Sequence, residues 1–413
     1  MIGILLTPIP VCGLTAYMNY RIEPSSLLGA SIAKINPVID TNINQSFCPA
    51  AWNSVYVEPG GEIRNCCVAQ ETIGRVDDDV HQVLTGRRNI EIRQAMLEGQ
   101  KLDSCRQCWS DSQSVMRHGF VQDYYTPENQ DLFASADNFK PQYLDLRWHN
   151  TCNFACVYCG PGVSSSWATE LGEPNRMDRS SIQRLEDYVL DNLHDVNHVY
   201  LAGGEPLLMK ENAVLLERLY TINPMARIFV NSNISHASAD NAVYQWLTRF
   251  PRTYWIISAE ALDEKFDYIR YGGTWSEFQR NLYRVRKDFK HHQIGFNAVL
   301  CTLNAINIWR FIDWTLEIGF APEQTSINMH HQGTSTWHGL DCRNLSQDLT
   351  QALKESSCNS RYNNVNGITG VRRVLDHPVD INPDLFQSFV QEIDQRRGLD
   401  SRRVFPEIYA YIN

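Results

Sequence analysis

The stretch YLDLRWHNTCNFACVYCG (143–160) joins an apolar run of strand length to three cysteines, Cys152, Cys156 and Cys159, spaced C-x3-C-x2-C. Three thiolates on one short loop can ligate three irons of a [4Fe–4S] cube and leave the fourth iron open to an outside ligand. A zinc site is the competing use of such a group, but structural zinc is usually closed by four protein ligands. Three buried cysteines with no ligand role are the remaining alternative.

Outward from this loop, strand-like and helix-like segments alternate. Runs of strand length stand at YLDLRW (143–148), HVYLA (198–202), RIFVN (227–231), YWIIS (254–258), IGFNAVLC (294–301) and TSINMH (325–330). Helix-period segments such as SIQRLEDYVLDNL, ENAVLLERLYTI and TWSEFQRNLYRVR lie between them. This order predicts an α/β fold, a parallel sheet wound in right-handed βα units. Six units are too few for a complete eight-fold barrel, so a partial (β/α)6 TIM-like barrel spanning 141–335 is expected. Its site should lie at the C-terminal ends of the strands. Several chemistry-bearing residues fall there. Gly203-Gly204-Glu205-Pro206 ends the second strand, and paired glycines permit close approach of backbone to a ligand. Asn233 follows the third strand, Ser258 and Glu260 end the fourth, Val299 is on the fifth, and His330 and His331 end the sixth. The two histidines are weak candidates for facing substrate, and a hydrogen-bonded structural pair fits them equally.

The cysteine spacing, with Tyr158 just before the last cysteine, resembles the signature of radical S-adenosylmethionine (radical SAM) enzymes. The resemblance implies a [4Fe–4S] cluster on Cys152, Cys156 and Cys159 whose open iron chelates the amino and carboxylate groups of S-adenosylmethionine. One electron then cleaves the sulfonium C–S bond, releasing a 5′-deoxyadenosyl radical that takes hydrogen from substrate. It further implies cofactor contacts for Tyr158, Gly203, Gly204, Glu205, Pro206, Asn233, Ser258, Glu260 and Val299. Arg270, in the segment DEKFDYIRYGG, would approach the cofactor carboxylate. An electron donor such as flavodoxin or ferredoxin would be a partner.

A second cysteine group precedes the barrel: Cys48, Cys66, Cys67, Cys105 and Cys108. VYVEPGGEIRN (55–65) reads as a hairpin around a Pro-Gly-Gly turn, and four thiolates fit a fully ligated cluster. Cys48, Gly61-x4-Cys66 and the distant C-x2-C pair Cys105/Cys108 resemble the twitch module, which holds an auxiliary [4Fe–4S] cluster. Neighbouring side chains on a strand point to opposite faces, so one of Cys66 and Cys67 should bind; the glycine spacing favours Cys66, with Cys67 the alternative. Twitch modules usually follow the radical SAM domain, whereas this small α+β module (about 45–112, within an N-terminal region 1–140) precedes it. A zinc site closed by four cysteines is the alternative. The C-terminal segment 336–413 resembles nothing, apart from a predicted helix near 383–397.

Composition narrows the remaining choices. Lys and Arg number 37 against 47 Asp and Glu, a net charge of −10, which opposes a general nucleic-acid binder. The apolar start MIGILLTPIPVCGLTAYM lacks a positive n-region and is broken by Pro8 and Pro10. It is read as a buried strand or extended segment rather than a signal peptide or a membrane span. The expected compartment is the cytoplasm, where clustered thiols serve metals or catalysis more often than disulfides. Cys12, Cys301, Cys342 and Cys358 are left as structural. The function expected is hydrogen abstraction by a radical SAM enzyme from a peptide, alcohol or sugar. The alternatives are a methyl- or methylthio-transferase using the same cofactor, and a non-catalytic zinc- or iron-binding scaffold.

Overall fold

A computed structural model describes residues 46–110, 115–173, 177–330 and 338–412. The expectations for the apolar N-terminus, Cys12 and His331 lie outside these residues. Among the described residues, one nine-stranded sheet organises the fold. It comprises β1 (Ser54–Val57), β2 (Glu62–Arg64), β3 (Gly74–Arg75), β4 (Tyr143–Leu146), β5 (His198–Leu201), β6 (Arg227–Ser232), β7 (Thr253–Ser258), β8 (Ile294–Leu300) and β9 (Thr325–Met329). Their order is β3-β2-β1-β4-β5-β6-β7-β8-β9. From β4 to β9 every neighbouring pair is parallel, which gives the six predicted βα units.

Side-chain alternation gives the sheet two faces. Leu144, Leu146, Val199, Leu201, Val230, Ile257 and Leu300 project into the main apolar core, which they share with the crossover helices. The opposite face carries Tyr143, Asp145, Tyr200, Phe229, Asn231, Ser258, Asn297 and Asn328, and its polar members gather toward the C-terminal strand ends. Ser258 donates to Asn231 Oδ1 at 3.1 Å and Asn328 donates to Asn297 Oδ1 at 2.7 Å across neighbouring strands. A face of this kind is a chamber wall; a packed barrel interior is filled mainly with branched aliphatic residues.

The predicted hairpin forms, with Tyr56 opposite Arg64 and Val57 opposite Ile63. Gly61 turns it at φ +86°, a conformation costly for any residue with a Cβ. Its first strand does more than pair locally. β1 runs parallel to β4, with Ser54 against Tyr143 and Val57 against Leu146, so the cysteine module shares the barrel's sheet. A second core seals the join: Phe47, Trp52, Met96, Phe120 and Tyr124 pack with Tyr143, Tyr200 and Ile256 of the inner face. Buried Arg93 stitches the module to itself by donating to the carbonyls of Ala51 (3.1 Å) and Leu84 (3.2 Å).

Beyond β9 the chain is more helical than its polar composition suggests. Helices Gln347–Ser357 and Ile368–Asp376 precede Pro383–Arg397, and Ile368–Asp376 packs on β9. Among the described residues no helix is long and apolar enough to cross a membrane.

Trp52 is fully buried in the joining core and its indole N–H donates to Ser135 O at 2.8 Å. Trp52→Ala should cost about 3–5 kcal/mol, read as a lower midpoint in guanidinium denaturation; an unchanged midpoint would mean that this core does not hold the module to the sheet.

Candidate metal centres and cofactor site

The loop leaving β4 is pinned at nearly every residue. Cys159 N–H donates to Cys156 O at 2.9 Å, closing the turn between the last two cysteines. The hydroxyls of Ser165 and Ser166 donate to Cys152 O, and Ser164 caps helix Ser165–Leu171 by accepting from Trp167 N–H at 3.2 Å. Trp167 in turn donates its indole N–H to Cys156 O at 2.7 Å. The residues preceding and following Arg270 run beside the loop: Ala155 and Val157 donate to the carbonyls of Tyr271 (2.8 Å) and Ile269 (2.9 Å). The run of serines was a legible N-cap signal; the indole bond to Cys156 had no local signature.

Gly203 and Gly204 meet this loop from β5. A Cβ on Gly204 would lie 2.0 Å from Thr151 O, so only glycine fits there, and Gly203 adopts φ +111°. Glu205 N–H then donates to Thr151 O at 2.7 Å. The Glu205 carboxylate is fully buried and accepts from Ser232 O–H (2.7 Å), Asn233 N–H (2.8 Å) and Leu207 N–H (3.1 Å). It therefore ties the end of β5 to the end of β6. Pro206 opens the short turn Pro206–Leu208, and its carbonyl accepts from Asn212. Asn233 reaches back with its amide nitrogen 4.0 Å from Cys152 Sγ and 3.3 Å from Asn153 Oδ1.

On the far side of the loop, Arg270 is buried and chelated by Glu260: Nε lies 2.8 Å from Oε1, and Nη2 meets Oε2. Tyr158 O–H donates to the same carboxylate at 2.9 Å, and the guanidinium lies 5.3 Å over the Tyr158 ring. The remaining arm of Arg270 points to Cys156 Sγ at 3.8 Å. The Cys156 thiol is held below its ordinary range, first by the S–H of Cys159 donating to it and then by Arg270. The hydrogen bond to Cys156 and burial push Cys159 well up, and burial with the neighbouring Cys156 raises Cys152. Ser258 and Val299 stand on the inner wall beside this cluster, and the Val299 carbonyl accepts from Asn304 at 2.8 Å. His330 is buried just past β9, its N–H on Leu300 O at 2.8 Å.

The second cysteine group comes together at the other end of the sheet. Cys48 precedes β1, and Cys66 follows β2, which runs antiparallel to β1, so both lie at the N-terminal edge of the barrel strands. Cys105 and Cys108 sit on the turn Asp103–Cys105 and the helix Arg106–Ser110. Burial raises Cys48 and Cys66, and each is raised further by the nearby thiols of Cys108 and Cys105. Cys105 is pushed up to about 11, mainly by burial, with Cys108 adding to the rise. The four thiols are thus neighbours, whereas Cys67 is buried in the aromatic core with Phe47 and Met96. Crowded neutral thiols of this kind suit a site that releases protons as it binds metal. Among the described residues no three His, Cys, Asp or Glu side chains stand close enough to share a single metal ion. Cys301 and Cys342 are buried and Cys358 is exposed, each as a free thiol.

Burial lifts the Glu205 carboxyl from 4.5 to about 7, against the pull of its three donors. A carboxyl raised on folding stabilises the fold below its unfolded pKa, and that contribution is lost as pH rises through the folded value. Between about pH 4.5 and 7 the wild-type chain should therefore lose roughly 2–3 kcal/mol relative to Glu205→Gln. Urea denaturation of both chains across that range checks it; parallel pH profiles would show that folding does not raise the Glu205 pKa.

Two family profiles match the regions that carry the two cysteine groups. Residues 146–314 match the radical SAM superfamily profile, and residues 48–109 match that of an iron–sulfur cluster-binding domain, SPASM. GTP 3′,8-cyclase of Haemophilus influenzae is 26% identical over 183 residues, which are 43% of this chain and 52% of that protein. GTP 3′,8-cyclase of Streptomyces coelicolor is 30% identical over 99 residues, 24% of this chain and 28% of that protein. The chain spans at most about half the length of these curated relatives. Similar solved structures include anSMEcpe with bound AdoMet (16% identity, TM-score 0.38, 52% of this chain and 58% of that one). Streptococcus suis SuiB is another (14% identity, TM-score 0.37, 71% of this chain and 64% of that one). Residues 146–314 form a radical SAM domain, and an iron–sulfur cluster-binding domain lies N-terminal to it.

Proposed function

We propose that this chain is an enzyme that reductively cleaves S-adenosylmethionine and removes a hydrogen atom from a polar small molecule or peptide. Cys152, Cys156 and Cys159 would hold the [4Fe–4S] cluster that the radical SAM domain implies. Cys48, Cys66, Cys105 and Cys108 would hold an auxiliary [4Fe–4S] cluster. The observation that carries the reading is the position of the Arg270 guanidinium, locked to Glu260 and 3.8 Å from Cys156 Sγ at the C-terminal strand ends. When bound, the cluster and S-adenosylmethionine supply one-electron C–S cleavage and a hydrogen-abstracting carbon radical.

The chain's own residues orient that chemistry. Arg270 favours a thiolate at Cys156, Tyr158 and Glu260 keep Arg270 in place, and the glycine pair lets β5 close on the loop. With Glu205, Glu260 and Arg270 engaged by protein partners, their part is positioning the loop and the strand ends. Substrate would lie against the polar inner wall of Asn231, Ser258, Asn297 and Asn328, between the two thiol groups. The strands separating those groups are four to seven residues long, roughly 13–23 Å. A reduced, cytoplasmic compartment and a flavodoxin- or ferredoxin-like electron donor complete the reading.

Cys156→Ala should abolish 5′-deoxyadenosine formation under dithionite, followed by chromatography of the anaerobic reaction; persistence of that product would refute the assignment. Cys105→Ala/Cys108→Ala should lower iron and sulfide from about eight to about four per chain and spare cofactor cleavage. Zinc without sulfide at this group would remove the auxiliary cluster from the account.

A further inference from the structure

The helix Pro383–Arg397 lies outside both matched regions, yet its last residue reaches Trp167, Glu170 and Tyr271, which flank the Cys152–Cys159 loop. Gly398 stops the helix at φ +65° and leaves the Arg397 side chain 1% exposed. The guanidinium sits between two rings, 4.4 Å from the Trp167 centroid and 4.5 Å from that of Tyr271. Its Nε and Nη2 donate to Glu170 Oε2 at 3.2 and 3.1 Å.

Each of these three partners is attached to the cysteine loop by its own route. Trp167 donates its indole N–H to Cys156 O, Tyr271 O accepts from Ala155 N–H, and Glu170 lies on the helix that continues the loop. The same C-terminal segment also grips the helix that delivers Arg270. Tyr268 O–H donates to Asp394 at 2.8 Å, and Lys265 pairs with Glu407 at 2.9 Å. Desolvating a guanidinium is unfavourable, offset here by two hydrogen bonds to the Glu170 carboxylate and by two ring faces. An aliphatic side chain would anchor a helix end more cheaply. A planar cation between two rings fixes the Trp167 indole, and so the Cys156 carbonyl it holds, and seats Tyr271, whose own carbonyl accepts from Ala155 N–H.

We infer that Arg397 is a positioning residue for the radical cluster, setting the seat of the Cys152–Cys159 loop through Trp167 and Tyr271. The inference rests on the reading that this loop carries a cluster. It gives the C-terminal segment a role in the metal site that neither matched region covers.

The test uses the full chain loaded anaerobically with iron and sulfide, as wild type, Arg397→Met, Arg397→Lys and Phe386→Leu. Iron release to a ferrous chelator and the EPR line shape of the dithionite-reduced chain, with and without S-adenosylmethionine, are the readouts. In Arg397→Met about half of the iron should leave roughly tenfold faster, and the line shape with S-adenosylmethionine should change. Arg397→Lys, which keeps charge but not the planar stack, should be intermediate. Phe386→Leu loosens the same helix at its far end, where Phe386 packs on Tyr409, and should behave as wild type. Wild-type release and line shape in Arg397→Met would overturn the inference, as would a Phe386→Leu chain that copies it. If Arg397→Met fails to fold by circular dichroism, wild-type values in Arg397→Lys overturn it instead. A wild-type chain that takes up no iron on Cys152, Cys156 and Cys159 would defeat the cluster reading itself, a different failure.

Discussion

The buried pair of Arg270 and Glu260 is the constraint around which the strand-end site is built. Two charges removed from water gain little over an apolar pair of the same volume, but losing one partner costs about 3–5 kcal/mol. Their geometry therefore cannot drift without penalty, and it fixes three things together. It orients Tyr158 through a shared carboxylate, it aims a cation at Cys156, and it sets the backbone on either side of Arg270 against the cysteine loop. A loop of small and polar residues would otherwise have several conformations of similar energy. Here Ser164, Ser165, Ser166, Trp167 and the glycine pair close those alternatives one backbone group at a time.

The second cysteine group owes its place to one strand. Because β1 enters the sheet parallel to β4, the module that precedes the barrel in sequence is built onto its edge, with its thiols at the opposite end from Cys152. Tyr56 and Glu58 of this module meet Asp145 of β4 and Arg147 just past its end in a buried network. Tyr56 O–H donates to Glu58 at 2.6 Å, and Arg147 lies 3.2 Å from Asp145 and 4.9 Å over the Tyr56 ring. The module thus lines part of the chamber as well as holding cysteines, so the usual order of domains is not needed for the two to share one interior.

Much of this architecture was legible because its signals are local. Each barrel strand is a short apolar run, and each predicted strand from 143 to 330 matches an observed one to within two residues at its ends. The helix over 383–397 is bounded by Pro383 and Gly398, both strong punctuation. What escaped was non-local. Nothing in Ser54–Val57 announces a partner at Tyr143–Leu146, and Arg397 meets Glu170 from 227 residues away. Glu205 and Arg270 were singled out as cofactor contacts from their motif positions; their protein partners, Ser232, Asn233 and Glu260, set how those side chains are used and lie on other strands or loops. The alternation of Asp145 and Arg147 with Leu144 and Leu146 did carry a readable sign of a polar inner face in a buried parallel strand.

The most direct test of the central claim is the Mössbauer spectrum of the chain loaded with 57Fe, recorded before and after adding S-adenosylmethionine. Two cubes, one of them with an open iron, should give about one eighth of the iron signal moving to the higher isomer shift of a more highly coordinated site. The same addition to Cys156→Ala should move nothing. A wild-type spectrum with no component that responds to S-adenosylmethionine would contradict the account.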